Sequence, residues 1–156
     1  MSSVPASARL IDPRGHRFGA ALSVVILAIA FLLDQALVVA LIALALGISA
    51  AFGTRYSALG RPWPLVRRLL RLPAPRELES EFPPRFAQAL GSVGLGLALI
   101  AFLAGASLGG WLLTGAVATL QAVLALSGYC LGCRLYFLRW WAPAAFQRLV
   151  GAQPRG

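Results

Sequence analysis

Charge is scarce in this chain, and one cation is missing altogether. Only 12% of its 156 residues are charged; five are acidic, and all 14 basic residues are arginine, with no lysine anywhere. It has one histidine, one methionine and two cysteines. So little charge excludes an ordinary water-soluble domain, in which about a quarter of residues are charged. No phosphate-binding loop, nucleophile elbow or histidine–carboxylate cluster is found, which removes the usual signatures of an NTPase or a hydrolase. What fills the chain instead is apolar. Hydrophobic residues make up 59%, and with the 16 glycines the share reaches about 69%, against roughly 45–50% for globular domains on the same basis. Composition therefore points to a membrane protein.

The sixteen residues from Phe18 to Leu33 contain no charge, and a second apolar run extends from Ala36 to Gly53. As one helix, 18–53 would be about 54 Å long, well beyond a hydrocarbon core of about 30 Å. The chain is therefore expected to turn near Asp34-Gln35, with residues 13–17 carrying the first helix into the headgroup layer. A third span is expected over about 86–106 and a fourth over about 111–133, separated by the glycine-containing stretch 105–110. The expected fold class is an all-α membrane protein of four transmembrane helices (18–33, 36–53, 86–106, 111–133) in two hairpins, packed as a compact bundle. The membrane domain then covers 18–138, between an N-terminal segment 1–17 and a C-terminal tail 139–156, with a central loop 54–85. A secretory signal peptide also shows an apolar run behind arginines, but the second run follows almost at once, which favours a helical hairpin.

Basic residues near span ends favour the cytoplasmic side. Arg9, Arg14 and Arg17 precede the first span; Arg55, Arg61, Arg67, Arg68, Arg71, Arg76 and Arg85 lie between the second and third; Arg134, Arg139, Arg148 and Arg155 lie at or after the end of the fourth. The other two turns, around Asp34 and Gly109, hold none. This partition predicts a multi-pass protein of the bacterial cytoplasmic (inner) membrane with both termini and the central loop in the cytoplasm. It also accounts for the net charge of +9 without nucleic acid as a partner. Within the loop, Trp63, Leu65, Val66, Leu69, Leu70 and Leu72 alternate with Arg67, Arg68 and Arg71, as a short interfacial helix would. A solvated linker with a greasy patch is the alternative. Pro62, Pro64, Pro73 and Pro75 confine the helix to about two turns, too short to persist alone in water. The lipid bilayer is its expected support, with Arg67, Arg68 and Arg71 facing headgroups. Pro83-Pro84 suits the opening of the third span, where a missing N–H costs little. Ala43 with Gly47, Ala45 with Ser49 and Gly53, and Ala101 with Gly105 and Gly109 stand at the four-residue spacing that lets membrane helices pack closely.

One constellation could carry chemistry: Gly128-Tyr-Cys130-Leu-Gly132-Cys133-Arg134-Leu-Tyr136. On a helix, three-residue spacing puts both sulfurs on one face with Cα atoms about 5–5.5 Å apart, within the range a disulfide tolerates. The pair can be a redox dithiol, a persulfide or sulfur-relay site, half of a soft-metal site, or two small buried hydrophobes. Four-coordinate zinc needs two further ligands. With His16 read as a distant, unremarkable interfacial residue, the chain holds no metal site of its own; metal would require a second protomer, and no cofactor is implied. At the carboxyl end of a span the helix dipole disfavours a thiolate, Arg134 favours it, and Gly128 and Gly132 offer a break that would re-aim the sulfurs. Asp34 reads as a hairpin tip, and Trp140-Trp141 as an interfacial anchor.

Three blocks carry a resemblance. Ile11-Asp12-Pro13-Arg14 with Arg17-Phe18, then Pro83-Pro84-Arg85-Phe86-Ala87-Gln88, then Cys130-Leu-Gly-Cys133 with Tyr136 resemble the bacterial integral membrane family called domain of unknown function 4395, from about Ile11 to Leu138. A looser resemblance extends to small four-helix DoxX-like membrane proteins, some of which are linked to thiosulfate or disulfide chemistry. In the former family an acidic residue often follows the second cysteine; here Arg134 reverses that charge. The family has no established activity; the pair's spacing and expected cytoplasmic placement, with the looser resemblance, point to thiol–disulfide or sulfur-transfer chemistry at Cys130 and Cys133, supported by Gly132, Arg134 and Tyr136, with a cytoplasmic thioredoxin-like or sulfurtransferase partner. The competing reading is a non-enzymatic membrane subunit or scaffold that docks a partner or anionic lipid, its cysteines structural. A homo-oligomer is compatible with both.

Overall fold

The computed structural model describes residues 10–75 and 77–135. The readings made above for Arg9, Arg76, Tyr136, Arg139, Trp140, Trp141, Arg148, Arg155 and the C-terminal tail lie outside the described residues. In chain order the elements are β1 (Leu10–Ile11), α1 (Pro13–Leu32), α2 (Ala36–Phe52), a 3₁₀ turn (Thr54–Tyr56), α3 (Trp63–Leu69), β2 (Glu79–Ser80), α4 (Phe82–Leu103) and α5 (Ser107–Ser127). A further helical turn begins at Leu131 and reaches the last described residue, Leu135. The two short strands pair antiparallel, Leu10 opposite Ser80 and Ile11 opposite Glu79. Everything else regular is helix.

Local sequence explains each boundary. Asp12 caps α1, its carboxylate accepting the Arg14 N–H at 2.9 Å, and Pro13 supplies a first-turn residue that needs no donor. This is why the helix starts at Pro13, ahead of the apolar run at 18. After Leu32 the chain turns where expected, through Asp34 in the left-handed region (φ 51°). Pro83 and Pro84 lie in the first turn of α4, which places its start at Phe82, earlier than the expected 86. Gly105 makes the next turn at φ 78°, and α5 starts at Ser107 with the glycines 109–110 inside it. That helix ends at Ser127, well short of the expected 133, because Gly128 adopts a left-handed conformation (φ 73°) and stops it.

Three helices, α1, α4 and α5, are long and apolar enough to cross a membrane, and α2 is a shorter apolar helix. The contacts run α1 to α2, α2 to α4, α4 to α5 and α5 back to α1. These four therefore close a ring around Leu27, Val39, Ile42, Leu46, Leu95 and Val117. Helices approach closely over small residues: a Cβ on Gly94 would sit 2.7 Å from Val117 Cγ2, and one on Gly47 would sit 2.9 Å from Ser92 Oγ. Ser92 Oγ in turn donates to the Ala43 carbonyl at 2.8 Å. The Ala43/Gly47 spacing marks a real helix contact; Gly94 carries another that the spacing did not single out. Outward the ring is apolar, with Leu32, Leu103 and Leu126 respectively 79%, 88% and 84% exposed. An apolar surface this continuous is unsuited to water and suited to lipid.

Polar groups hold the two ends of the ring. At one end Asp34 accepts from Trp111 Nε1 at 3.0 Å. At the other, arginines satisfy the last carbonyls of neighbouring helices, which have no partner within their own helix. Arg85 donates to the Ala50 and Ala51 carbonyls of α2 at 2.9 and 2.7 Å, and Arg17 donates to the Ala125 and Leu126 carbonyls of α5 at 3.1 and 3.2 Å. The central loop folds onto the same end. Leu59 is buried in the core. In α3, Trp63 lies 5.7 Å from the Phe18 ring and donates to Asp12 Oδ2 at 3.1 Å. The short helix expected at 63–72 exists over 63–69, and contacts with α1 support it.

Candidate functional site

Once Gly128 has ended α5, the chain passes through Tyr129 and Cys130 and turns helical again at Leu131. Cys130 sits immediately ahead of that turn. Its Sγ accepts the Cys133 N–H at 3.1 Å, and its carbonyl accepts the Arg134 N–H at 3.1 Å. The two sulfurs are joined as a disulfide with Cα atoms 5.1 Å apart, so the expected spacing does close locally. The placement expected for the pair is corrected: it opens a new helical turn beyond the end of α5, and the unfavourable dipole end of that helix lies upstream at Gly128. Gly132 contributes through contact. A Cβ there would lie 2.7 Å from Ala87 Cβ and 2.9 Å from Ala87 Cα, so only glycine lets the cysteine segment lie directly on α4. Arg134 faces away over the Tyr129 ring, at 5.2 Å.

The reading of His16 is also corrected. Distant in sequence, it lies in the first turns of α1, and the packing of α1 against α5 brings it to the cysteines. One ligand atom of His16 and the sulfurs of Cys130 and Cys133 all lie within 4.8 Å of one another. The imidazole Nε2 is buried and has no hydrogen-bond partner among the described residues.

These groups border a cavity of about 220 Å³ inside the helix ring, where Ser23, Gln88 and Gln121 join His16, Cys130 and Gly132 among mostly apolar walls. Ser23 Oγ and Gln121 Oε1 are likewise buried without partners. An unsatisfied buried polar atom costs roughly 1–3 kcal/mol, and the three found among the described residues border this one cavity. Packing alone gives no reason for that concentration; a polar occupant does. Gln88 is the satisfied member, its Oε1 accepting from Ser49 Oγ at 2.5 Å. A second cavity of about 430 Å³, bordered by Asp12, Arg55, Arg61 and Trp63, shares Gly15, His16, Ser57 and Gln88 with the first.

The three sequence blocks meet here. The first caps α1 through Asp12 and Pro13, ties Arg14 to the Pro73 carbonyl at 3.2 Å, and thereby positions His16. The second starts α4 with Pro83, Pro84, Arg85 and Phe86 in its opening turn and lends Gln88 to the cavity wall. The third supplies the sulfurs. Of the basic residues read as lipid-facing, Arg68 and Arg71 are exposed, whereas Arg67 pairs with Asp12 at 3.8 Å. Sequence reasoning passed over Ser23 and Gln121 and undervalued His16; the available signal was a polar side chain within an apolar helix, where it is expensive and usually has a task. No curated protein and no solved structure matches the chain. Residues 11–140 match the family described as domain of unknown function DUF4395, and the chain belongs to that family.

Proposed function

We propose that this is a four-span protein of the bacterial cytoplasmic membrane whose Cys130–Cys133 pair exchanges disulfide or sulfane sulfur with a cytoplasmic thioredoxin-like or sulfurtransferase partner. The spans are α1, α2, α4 and α5 in two hairpins; α2, at 17 residues, is within the 17–25-residue range of a bilayer-spanning helix. The segregation of all fourteen arginines supports both termini and the loop 54–85 on the cytoplasmic side. That side also holds the cysteines, where the reducing compartment returns a disulfide to its dithiol form.

The observation that carries the reading is the bonded pair standing beside His16, whose buried Nε2 has no partner among the described residues. In the exchange a partner thiolate attacks one sulfur, a mixed disulfide forms, and the other cysteine leaves as a thiolate that takes its proton from water. A second partner thiolate then attacks the mixed disulfide and releases the reduced pair. For sulfur transfer, a persulfide donor gives up its outer sulfur to a cysteine thiolate and leaves as a thiolate itself.

In intact membranes reduced beforehand, a small thiol reagent should modify at least one of the two cysteines, and mild oxidation should block the labelling. Cys133→Ser should leave Cys130 able to trap a partner as a mixed disulfide. Resistance of both cysteines until the protein is denatured would replace this reading with the scaffold, in which they only fill space.

A further inference from the structure

We propose that, in its dithiol form, the pair joins His16 to bind one thiophilic d¹⁰ metal ion, Zn²⁺ or Cu⁺, within a single chain. The inference depends on the thiol reading only in that the pair must be able to reach the dithiol form.

Two thiolates and one imidazole form a donor set suited to soft d¹⁰ ions, and two cysteines with one histidine recur as the protein ligands of zinc sites that keep an open fourth position. The three donor atoms already lie within 4.8 Å of one another. Zn–S bonds of about 2.3 Å and Zn–N bonds of about 2.0–2.1 Å require the sulfurs, once unbonded, to move apart and the imidazole to close in on them. His16 contributes a second, independent sign: its Nε2 is buried and unpartnered, an arrangement that a metal bond would satisfy. His16 and Cys130 also line the cavity of about 220 Å³, so the fourth position of zinc has room for a water. Copper(I) needs no fourth ligand. Arg17, bonded to the end of α5 at Leu126, places positive charge near the segment and offsets the negative charge of the thiolates.

Binding is balanced in protons. The disulfide first takes up two electrons and two protons from a dithiol reductant; the ion then displaces both thiol protons and bonds to two thiolates and the neutral imidazole. Exchange with a partner disulfide, which takes the two electrons and becomes a dithiol, closes the Cys130–Cys133 bond and removes both thiolate ligands, so the ion leaves. Occupancy therefore follows the redox state of the pair.

The test uses the full chain in detergent, reduced and freed of reductant, and titrated with Zn²⁺ or Cu⁺ against a chromophoric chelator, with native mass spectrometry for stoichiometry. One ion per chain is expected in the reduced protein and none after diamide oxidation. Cys130→Ser and Cys133→Ser should each weaken binding at least 100-fold, and His16→Ala at least tenfold. The zinc and copper arms decide which ion is held, and X-ray absorption should give two sulfurs and one nitrogen from the protein. His16→Gln, compared for thermal stability, separates loss of a ligand from loss of fold. Absence of binding in both arms, wild-type affinity in a stably folded His16→Ala, or one ion per two chains would overturn the intrachain site. Mixed-disulfide trapping that persists while metal fails to bind would remove this inference and leave the thiol reading standing.

Discussion

Asp12 joins α1 to α3 at the end of the helix ring that carries the cysteines, and replacing it separates three interactions. One carboxylate oxygen caps α1 at 2.9 Å from Arg14 N; the other accepts from Trp63 Nε1 at 3.1 Å and faces Arg67 at 3.8 Å. Losing the cap costs about 1 kcal/mol. Stranding the indole N–H of a charge-assisted bond costs about 1.5–3 kcal/mol. The ion pair contributes about 0–1 kcal/mol, at the low end because the Arg67 side chain is 37% exposed. Asp12→Ala should therefore destabilise the protein by roughly 3 kcal/mol, a fall in melting temperature of roughly 6–12 °C for a chain of this size. Asp12→Asn should cost about half as much, since its amide oxygen retains the cap while the amide N–H₂ cannot accept from Trp63. Combining Asp12→Ala with Trp63→Phe should cost less than the two separately, because both remove the same bond. Thermal unfolding in detergent, followed by far-ultraviolet circular dichroism, measures all three. Equal melting temperatures for Asp12→Ala and the wild type, or additive single and double changes, would refute the assignment.

Gly132→Ala should force the cysteine segment away from Ala87, at roughly 1–3 kcal/mol if the contact is rigid; Ala87→Gly should restore only part of the loss, because Ala87 Cα itself would lie 2.9 Å from the new Cβ. Protease protection of the segment, with thermal unfolding, reads both. Gly94→Ala should destabilise by a similar amount and be rescued by Val117→Ala, because among the described residues a Cβ there would meet Val117 Cγ2; independent effects in the double variant would count against the α4–α5 packing. Reporter fusions after Gly53 and after Ala106 should behave oppositely, the first cytoplasmic and the second external, and the reverse result would move the cysteines to an oxidising compartment. Removing the charges of Arg68 and Arg71 should weaken association of the loop with anionic bilayers by about 1 kcal/mol each, whereas Arg67→Gln should change it less because Arg67 is paired with Asp12; vesicle contact of the loop read by Trp63 fluorescence decides between them.

Helices and their turns were legible in the amino-acid order because each depends on neighbours in the chain. Apolar runs too long for one bilayer crossing required the turn at Asp34; Pro83-Pro84 pointed to an opening turn, although the span was expected from 86 and α4 starts at Phe82; spacing alone showed that Cys130 and Cys133 could bond. Even so, the end of α5 was misplaced by reading apolarity through Gly128, whose left-handed backbone outweighs the hydrophobicity of the residues after it. What no local pattern contains is the meeting of His16 with the cysteines. The ring closes when α5 packs back on α1, and that contact joins the first turns of one helix to the segment beyond the end of another. The same closure leaves Ser23 and Gln121 facing one cavity, although neither is near the cysteines in sequence. It also takes Arg17, Arg67 and Arg85 out of a uniform basic surface and gives them carbonyls and a carboxylate to hold. Burial and partnership belong to pairs of residues that only the packed helices bring together, which is why charge counts supported no more than an expectation of sidedness while the tertiary fold gave Arg17, Arg67 and Arg85 their partners.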